Sequence, residues 1–318
     1  MGKTVFVTGM AGYLGERLCR ELDRGDFCDR FFGVDVKTPL SKYERGVFRR
    51  LDVAGGETAA WIREIRPDVV IHMAFMVQQV HDEGLMHRVN VAGTKNVLSA
   101  SAAAGTRQIL VTSSGTAYGA FPDNPVPLKE SDPIRRHPHF PYARHKAEVE
   151  AYLSEFEAAH PEISLSWVRP SVIYGPSVDN YISRLFTLPV AMSPVGSAPP
   201  FQFVHEDDVV RAILFLLEHG ARGPYNLAPP DTVTIKEVNR LTKKLAVPLT
   251  APVMRFFFAL AWRLRLPVLK VPESFLDYVF YPWAVDSKKL MDLGFRFRYS
   301  TAETIAIMLR AKGCISRP

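Results

Sequence analysis

Tyr142 and Lys146 stand four residues apart in the stretch PYARHKAEVE (141–150). That stretch reads as helix, so both side chains project from one face. A lysine ammonium beside a phenol would draw the tyrosine pKa down from its usual value of about 10. A phenol tuned in this way takes a proton from a hydroxyl or gives one to a carbonyl. By itself the pair also fits a half-buried tyrosine with a lysine laid along the surface. Its meaning depends on what else the chain carries.

Residues 8–15 read TGMAGYLG, a strand running into a helix through Gly9, Gly12 and Gly15. Gly9 permits the tight turn, Gly12 lets the backbone approach a pyrophosphate, and Gly15 lets helix and strand pack closely. The pyrophosphate would lie over the helix start at Tyr13 and Leu14, where free N–H groups and the helix dipole favour negative charge. A plain glycine-rich turn would also explain the glycines, but FFGVDV (31–36) adds Asp35 at the end of the second strand. A carboxylate about 20 residues beyond such a turn accepts hydrogen bonds from ribose hydroxyls and repels a 2′-phosphate. NAD is therefore expected over NADP, although Lys37 follows closely. With a nicotinamide in reach, Tyr142 and Lys146 become the proton-handling half of a hydride transfer.

These residues need a frame. Short apolar runs at Val5–Thr8, Phe31–Asp35, Phe48–Asp52, Val69–His72, Gln108–Thr112 and Leu165–Arg169 alternate with helical patterns near 13–24, 57–65, 83–104 and 142–159. Continuous apolar strands separated by helices predict an α/β fold with a doubly wound parallel sheet. The stretch from Phe121 to Pro141 interrupts the rhythm with prolines at 122, 125, 127, 133, 138 and 141, as a long functional loop does. Two returns to the sheet are expected, at Gln202–His205 and Tyr225–Leu227. The expected division is a dinucleotide-binding domain of residues 1–176 plus 202–228, and a smaller, mostly helical substrate lobe of 177–201 plus 229–318.

The composition fits that picture: 318 residues, 47% hydrophobic and 23% charged. A net charge of +6 comes from dispersed Lys and Arg, so nucleic acid is not an expected partner. Cys19, Cys28 and Cys314 form neither a metal pattern nor a disulfide framework. With a first buried strand where a leader would lie, a reducing cytoplasm is the expected setting. The apolar segment MRFFFALAWRLRLPVLK (254–270) carries Arg255, Arg263 and Arg265. It is too short and too charged to span a bilayer. An interfacial helix is one reading, and a helix closing an apolar pocket is the preferred one.

Along its whole length the chain resembles the extended short-chain dehydrogenase/reductases, the NAD-dependent epimerase/dehydratase family. TGMAGYLG is similar to that family's TGxxGxxG, and LDV, IHMAF, NVAGTKNVL, TSSGTAYG, PLKESDP, RPSVIYGP and FVHEDDVVRA follow in the family's order. The resemblance implies a Rossmann fold in which Asp52 and Val53 hold the adenine and Met73 and Ala74 line the cofactor. It implies Tyr142 as proton carrier, Lys146 also holding the nicotinamide ribose, and Ser114 contacting the reacting oxygen. Thr116 is a second candidate in that pocket. Asn90, His72 and His205 are expected to be structural, the last near the substrate lobe.

Three departures bear on the substrate. Val172 stands where many nucleotide-sugar members have an Asn, Phe201-Gln202 where they have Arg-Asp, and His145 where a Ser usually precedes the lysine. The first two remove groups suited to anion recognition. Val172, Arg184, Phe201 and His205 are expected to line the substrate site, with Phe256, Phe257, Phe258 and Trp262 adding apolar surface. A diphosphate buried there would lack charged partners. The expected activity is NAD-dependent redox at a hydroxyl or carbonyl carbon of a largely apolar small molecule, with a homodimer as the expected assembly. A nucleotide-sugar epimerase or dehydratase, and a non-catalytic NAD-binding sensor, are the alternatives.

Overall fold

The computed structural model describes residues 2–266 and 271–316. Seven strands form the central sheet: β1 (Thr4–Thr8), β2 (Arg30–Asp35), β3 (Gly46–Arg50), β4 (Val69–His72), β5 (Gln108–Thr112), β6 (Ser164–Pro170) and, after three short strands that lie elsewhere, β10 (Gly223–Leu227). They run in the order β10-β6-β5-β4-β1-β2-β3, and every pair is parallel. Order reverses between β1 and β4, the place where a doubly wound sheet opens a crevice beyond its carboxyl ends. The helices are α1 (Tyr13–Arg24), α2 (Gly56–Ile65), α3 (Glu83–His87), α4 (Gly93–Ala103), α5 (Pro141–Ala159), α6 (Tyr181–Leu185), α7 (Glu206–Glu218), α8 (Ile235–Thr242), α9 (Ala251–Arg263), α10 (Asp277–Phe280), α11 (Lys288–Asp292) and α12 (Thr301–Ala311).

Alternation along each strand builds two cores. Val5, Val7, Ile71, Leu110 and Val168 point to the face covered by Leu18 and Leu22 of α1 and Ile213 and Leu216 of α7. Phe6, Val70, Ile109 and Trp167 point the other way, onto Trp61, Val97, Val149 and Leu153 of α2, α4 and α5. A third cluster joins Tyr118, Phe140, Met254, Phe258, Phe275, Leu276 and Tyr278 beyond the carboxyl ends of the strands.

Three expectations shift. The third strand is Gly46–Arg50 rather than Phe48–Asp52: it is an edge strand paired only with β2, and it ends where Arg50 meets Asp35. The run at Gln202–His205 does not rejoin the central sheet. Its residues Phe203–His205 form β9, paired with β7 (Val172–Tyr174), because the chain leaves the sheet after β6 and Ser171 N–H bonds back to the Leu227 carbonyl. The later part of the chain, expected to be mostly helical, also holds a parallel pair, β8 (Ala191–Pro194) with β11 (Ala246–Leu249). The expected helix at 83–104 is α3 and α4 joined by a wider turn over Arg88–Ala92. No helix among the described residues is long and apolar enough to cross a membrane, and residues 267–270 of the segment singled out above lie outside them.

One buried ion pair fixes α5 to the sheet. Glu150 Oε1 and Oε2 accept from Arg169 Nε at 3.0 and 2.9 Å, from Trp167 Nε1 at 3.0 Å and from Ser113 Oγ. Arg169 reaches on to the Tyr118 hydroxyl. Removing one partner of such a pair strands a buried charge at a cost of about 3–5 kcal/mol, whereas replacing both by apolar groups is often near neutral. Glu150→Ala should therefore lower unfolding stability by about 3–5 kcal/mol in urea melts, and Glu150→Leu with Arg169→Met should recover most of it. Equal losses in the single and double variants would show that α5 is held by its apolar face alone.

Candidate active site

Four strand ends converge on the crevice. The turn after β1 carries Gly9 at φ +77°, a conformation that favours glycine. A Cβ on Gly9 would come 2.7 Å from the Ala74 nitrogen, and one on Gly15 only 2.0 Å from the Gly9 carbonyl. The chain after β1 thus runs against the chain after β4, with room for backbone only. Asp35, ending β2, accepts from Ala11 N–H and Lys37 N–H at 3.0 Å each, which turns its carboxylate toward the glycine turn. Met73 and Ala74 are tied to Thr8 by their N–H groups. Asp52 follows β3, bonds the Ala54 N–H and pairs with Arg88. These bonds hold its carboxyl below the usual range against the opposing effect of partial burial. Val53 is buried against Gly93. Tyr13 and Leu14 open α1 as expected, Tyr13 packing toward Tyr174 and Phe203 and Leu14 against the core beneath the sheet.

Ser114 leaves the end of β5 and caps the short turn Gly115–Tyr118, its Oγ 2.9 Å from Thr116 Oγ1. Tyr142, in the first turn of α5, lies beside Ser114, close enough for the serine hydroxyl to act on the phenol. Lys146, one turn on, is buried and donates to the Thr112 carbonyl at 2.8 Å. Its Nζ lies 3.4 Å from the centre of the Phe75 ring, and the same ring meets Tyr142 edge-on at 5.5 Å. Burial decides the protonation of both groups. It pushes the Tyr142 phenol up to about 12, with the Ser114 hydroxyl opposing, and lowers Lys146 to about 7, with Glu150 opposing. The expected lowering of Tyr142 by its lysine is thus overturned: burial of the phenol itself dominates, and Lys146 Nζ lies 5.8 Å from the Tyr142 ring centre.

The neighbouring histidines hold structure. His72 bridges Thr8 and Thr94 through its two ring nitrogens, and burial drops its pKa to about 3. His145 lies edge-on to His87 with its pKa lowered to about 4, first by burial. Asn90 ties down the Met76 N–H.

A cavity of about 910 Å³, open solvent at its mouth included, is lined mostly by apolar groups, among them Val172, Met192, Phe201, Met254, Phe258 and Tyr278, together with Asn239, Thr242 and Lys244. Tyr142 packs against the same cluster as Met254 and Phe258, and Tyr278 reaches back to donate to the Thr116 carbonyl at 2.8 Å. Val172 and Phe201 line this cavity. Arg184 does not: it stands at the surface, paired with Asp179 five residues earlier. His205 caps α7 and stacks on Tyr299, away from the cavity wall. Phe256 and Phe257 are exposed, and Trp262 stacks on His81, so only Phe258 of that group lines the cavity. Sequence reasoning missed Phe75, Glu150 and Tyr278. Glu150 had a signal, four residues after Lys146 on the same helix face. No group of His, Cys, Asp and Glu among the described residues could hold a metal.

Residues 5–228, more than half of the chain, match the family described as "NAD dependent epimerase/dehydratase family". The UDP-glucose 4-epimerase of Mycolicibacterium smegmatis is 31% identical over 186 residues, 54% of this chain and 57% of that protein. The structure of the Thermus thermophilus UDP-glucose 4-epimerase in complex with NAD superposes with a TM-score of 0.73 at 23% identity, covering 98% of this chain and 99% of that one. The Bacillus anthracis dTDP-glucose 4,6-dehydratase in complex with NAD gives 0.76 at 17% identity, covering 98% and 96%.

The depressed Lys146 has a thermodynamic consequence. Between about pH 7 and its unfolded value near 10.4, the unfolded chain holds a proton that the folded chain has released, so stability rises with pH there. Lys146→Met should therefore raise unfolding stability by roughly 1–3 kcal/mol below pH 7, the gain fading as pH approaches 10. Thermal melts across that range check it; a variant less stable than the parent at pH 6 would show that the buried ammonium is stabilised by Thr112 and Phe75.

Proposed function

Since the chain belongs to the NAD-dependent epimerase/dehydratase family, we propose that it is an NAD-dependent oxidoreductase acting on a hydroxyl- or carbonyl-bearing carbon of a largely apolar molecule. The observation that carries this reading is the convergence of Ser114, Tyr142 and Lys146 at the end of β5, where Tyr142 packs against the apolar cluster that also walls the cavity.

The residues fit the cofactor. A backbone-only cradle at Gly9, Gly12 and Gly15 suits a pyrophosphate over the start of α1, and Asp35 has lone pairs to accept from ribose hydroxyls. Asp52 and Val53 would flank the adenine, while Met73 and Ala74 would line the path to the nicotinamide. Bound there, NAD would accept or supply the hydride. Tyr142 Oη then exchanges the proton with the substrate oxygen, Ser114 Oγ orients that oxygen, and Lys146 Nζ serves the nicotinamide ribose. Thr116 holds Ser114 in place, and Val172 and Phe201 contact the substrate. In this reading residues 1–176 and 202–228 carry the dinucleotide, and 177–201 with 229–318 carry the substrate. Three free thiols accord with a reducing cytoplasm, and a homodimer completes the proposal.

A nucleotide-sugar epimerase or dehydratase is the second reading, favoured by the substrates named for the similar enzymes. It would run the same oxidation transiently and release no NADH. Against it stand Val172 and Phe201, and an Arg184 already paired with Asp179.

By calorimetry NAD should bind at least tenfold more tightly than NADP, about 1.4 kcal/mol, and Asp35→Ala should narrow the gap. Equal affinities in the parent would contradict the role of Asp35. Tyr142→Phe should keep NAD affinity within about twofold and lower turnover by about 10²–10⁴. Full activity in that variant would remove Tyr142 from the reaction.

A further inference from the structure

Helix α9 is apolar on two sides. Met254, Phe258 and Ala261, at i, i+4 and i+7, are buried, and Met254 and Phe258 line the cavity. Val253, Phe257, Leu260 and Leu264 repeat that spacing on the outer side, joined by Phe256. Phe256 is 63% exposed, Phe257 54%, Leu264 59%, and Val253 and Leu260 41% each. One helical stripe would have sufficed to close the pocket. The second leaves two phenylalanines in contact with each other at 5.7 Å and open to solvent. A continuous exposed apolar face of this kind marks an interaction surface.

Charge identifies the occupant. Residues 251–266 contain Arg255, Arg263 and Arg265 and no acidic residue, within a chain of net charge +6. Arg255 is paired with Asp277, whereas Arg263 and Arg265 are exposed beside Leu264 and Leu266 at the end of the helix. A two-fold contact between copies of this face would set these arginines near one another with no carboxylate from 251–266 to answer them. An anionic lipid surface supplies the opposite charge over the whole face and hydrocarbon for the phenylalanines.

We propose that α9 is a membrane-docking helix: Val253, Phe256, Phe257, Leu260 and Leu264 enter the interfacial layer of an anionic bilayer, and Arg263 and Arg265 engage its headgroups. The helix lies in the membrane plane and does not span it. Because its inner stripe walls the cavity, docking sets the cavity beside the lipid and gives a lipid-dissolved substrate a short route to Tyr142. That last step rests on the proposed apolar substrate; the docking does not.

The test is sedimentation of the full chain with phosphatidylcholine vesicles, with and without phosphatidylglycerol. The parent should bind the anionic vesicles, bind the neutral ones far more weakly, and release as salt is raised. Phe256→Ser with Phe257→Ser should weaken binding at least tenfold, and Arg263→Gln with Arg265→Gln by about thirtyfold. Both pairs should keep the parent's melting temperature and NAD affinity, which shows that the lost binding is not lost folding. No binding of the parent to anionic vesicles would overturn the proposal, as would variants that bind like the parent. So would a dimer in solution that the phenylalanine changes dissociate, which would assign the face to a second copy. Vesicle binding with no turnover of apolar substrates would leave the docking standing and refute the substrate reading.

Discussion

The contact between Glu150 and Arg169 does more than anchor a helix. Its carboxylate collects the Arg169 guanidinium, the Trp167 indole and the Ser113 hydroxyl, so α5 is locked against β6 and the end of β5. Ser113 and Ser114 are consecutive, and Lys146 and Glu150 are one turn apart. The rotation of α5 that satisfies Glu150 therefore also brings Tyr142 to Ser114 and Lys146 to the Thr112 carbonyl. The same carboxylate is the group that resists the loss of charge on Lys146. A buried ion pair of this kind is weak evidence for stability, and its contribution here is to fix one geometry.

Within that geometry, burial outweighs pairing. Tyr142 holds its proton more firmly than a free phenol, Lys146 holds its proton less firmly than a free amine, and Phe75 contacts both. In the proposed reading, two groups pushed in opposite directions in one cleft form a proton relay that acts only when a substrate oxygen and a cofactor charge are added. On the same reading, the mostly apolar cavity wall would reward a substrate that brings hydrocarbon rather than phosphate.

Much of this was legible from residue types and spacing. Three glycines after an apolar strand and an aspartate ending the next one located the crevice, because only backbone fits where Gly9 meets Ala74. The helix carrying Tyr142 and Lys146 was equally readable. Tertiary choices were not. Phe203–His205 has the composition of a core strand, and only the exit of the chain at Ser171 sends it to Val172–Tyr174. Arg184 looked like a free cation because its partner Asp179 lies before the helix rather than a turn along it. A helix as apolar all round as α9 has no phase in sequence, so Phe257 and Phe258 could not be told apart. The tyrosine pKa reversed because Tyr142 is itself buried, and that burial depends on everything packed around it.

Whether Tyr142 acts on substrates held in an apolar cavity is read from a homologous series. NADH formation should be followed at a fixed NAD concentration with straight-chain secondary alcohols of increasing length. An apolar cavity serving Tyr142 should give kcat/KM rising about threefold to fourfold per added methylene, ~0.8 kcal/mol each, until the cavity is filled, with the whole series abolished by Tyr142→Phe. Saturable turnover of a UDP- or dTDP-sugar, with no response to alcohol chain length, would contradict it.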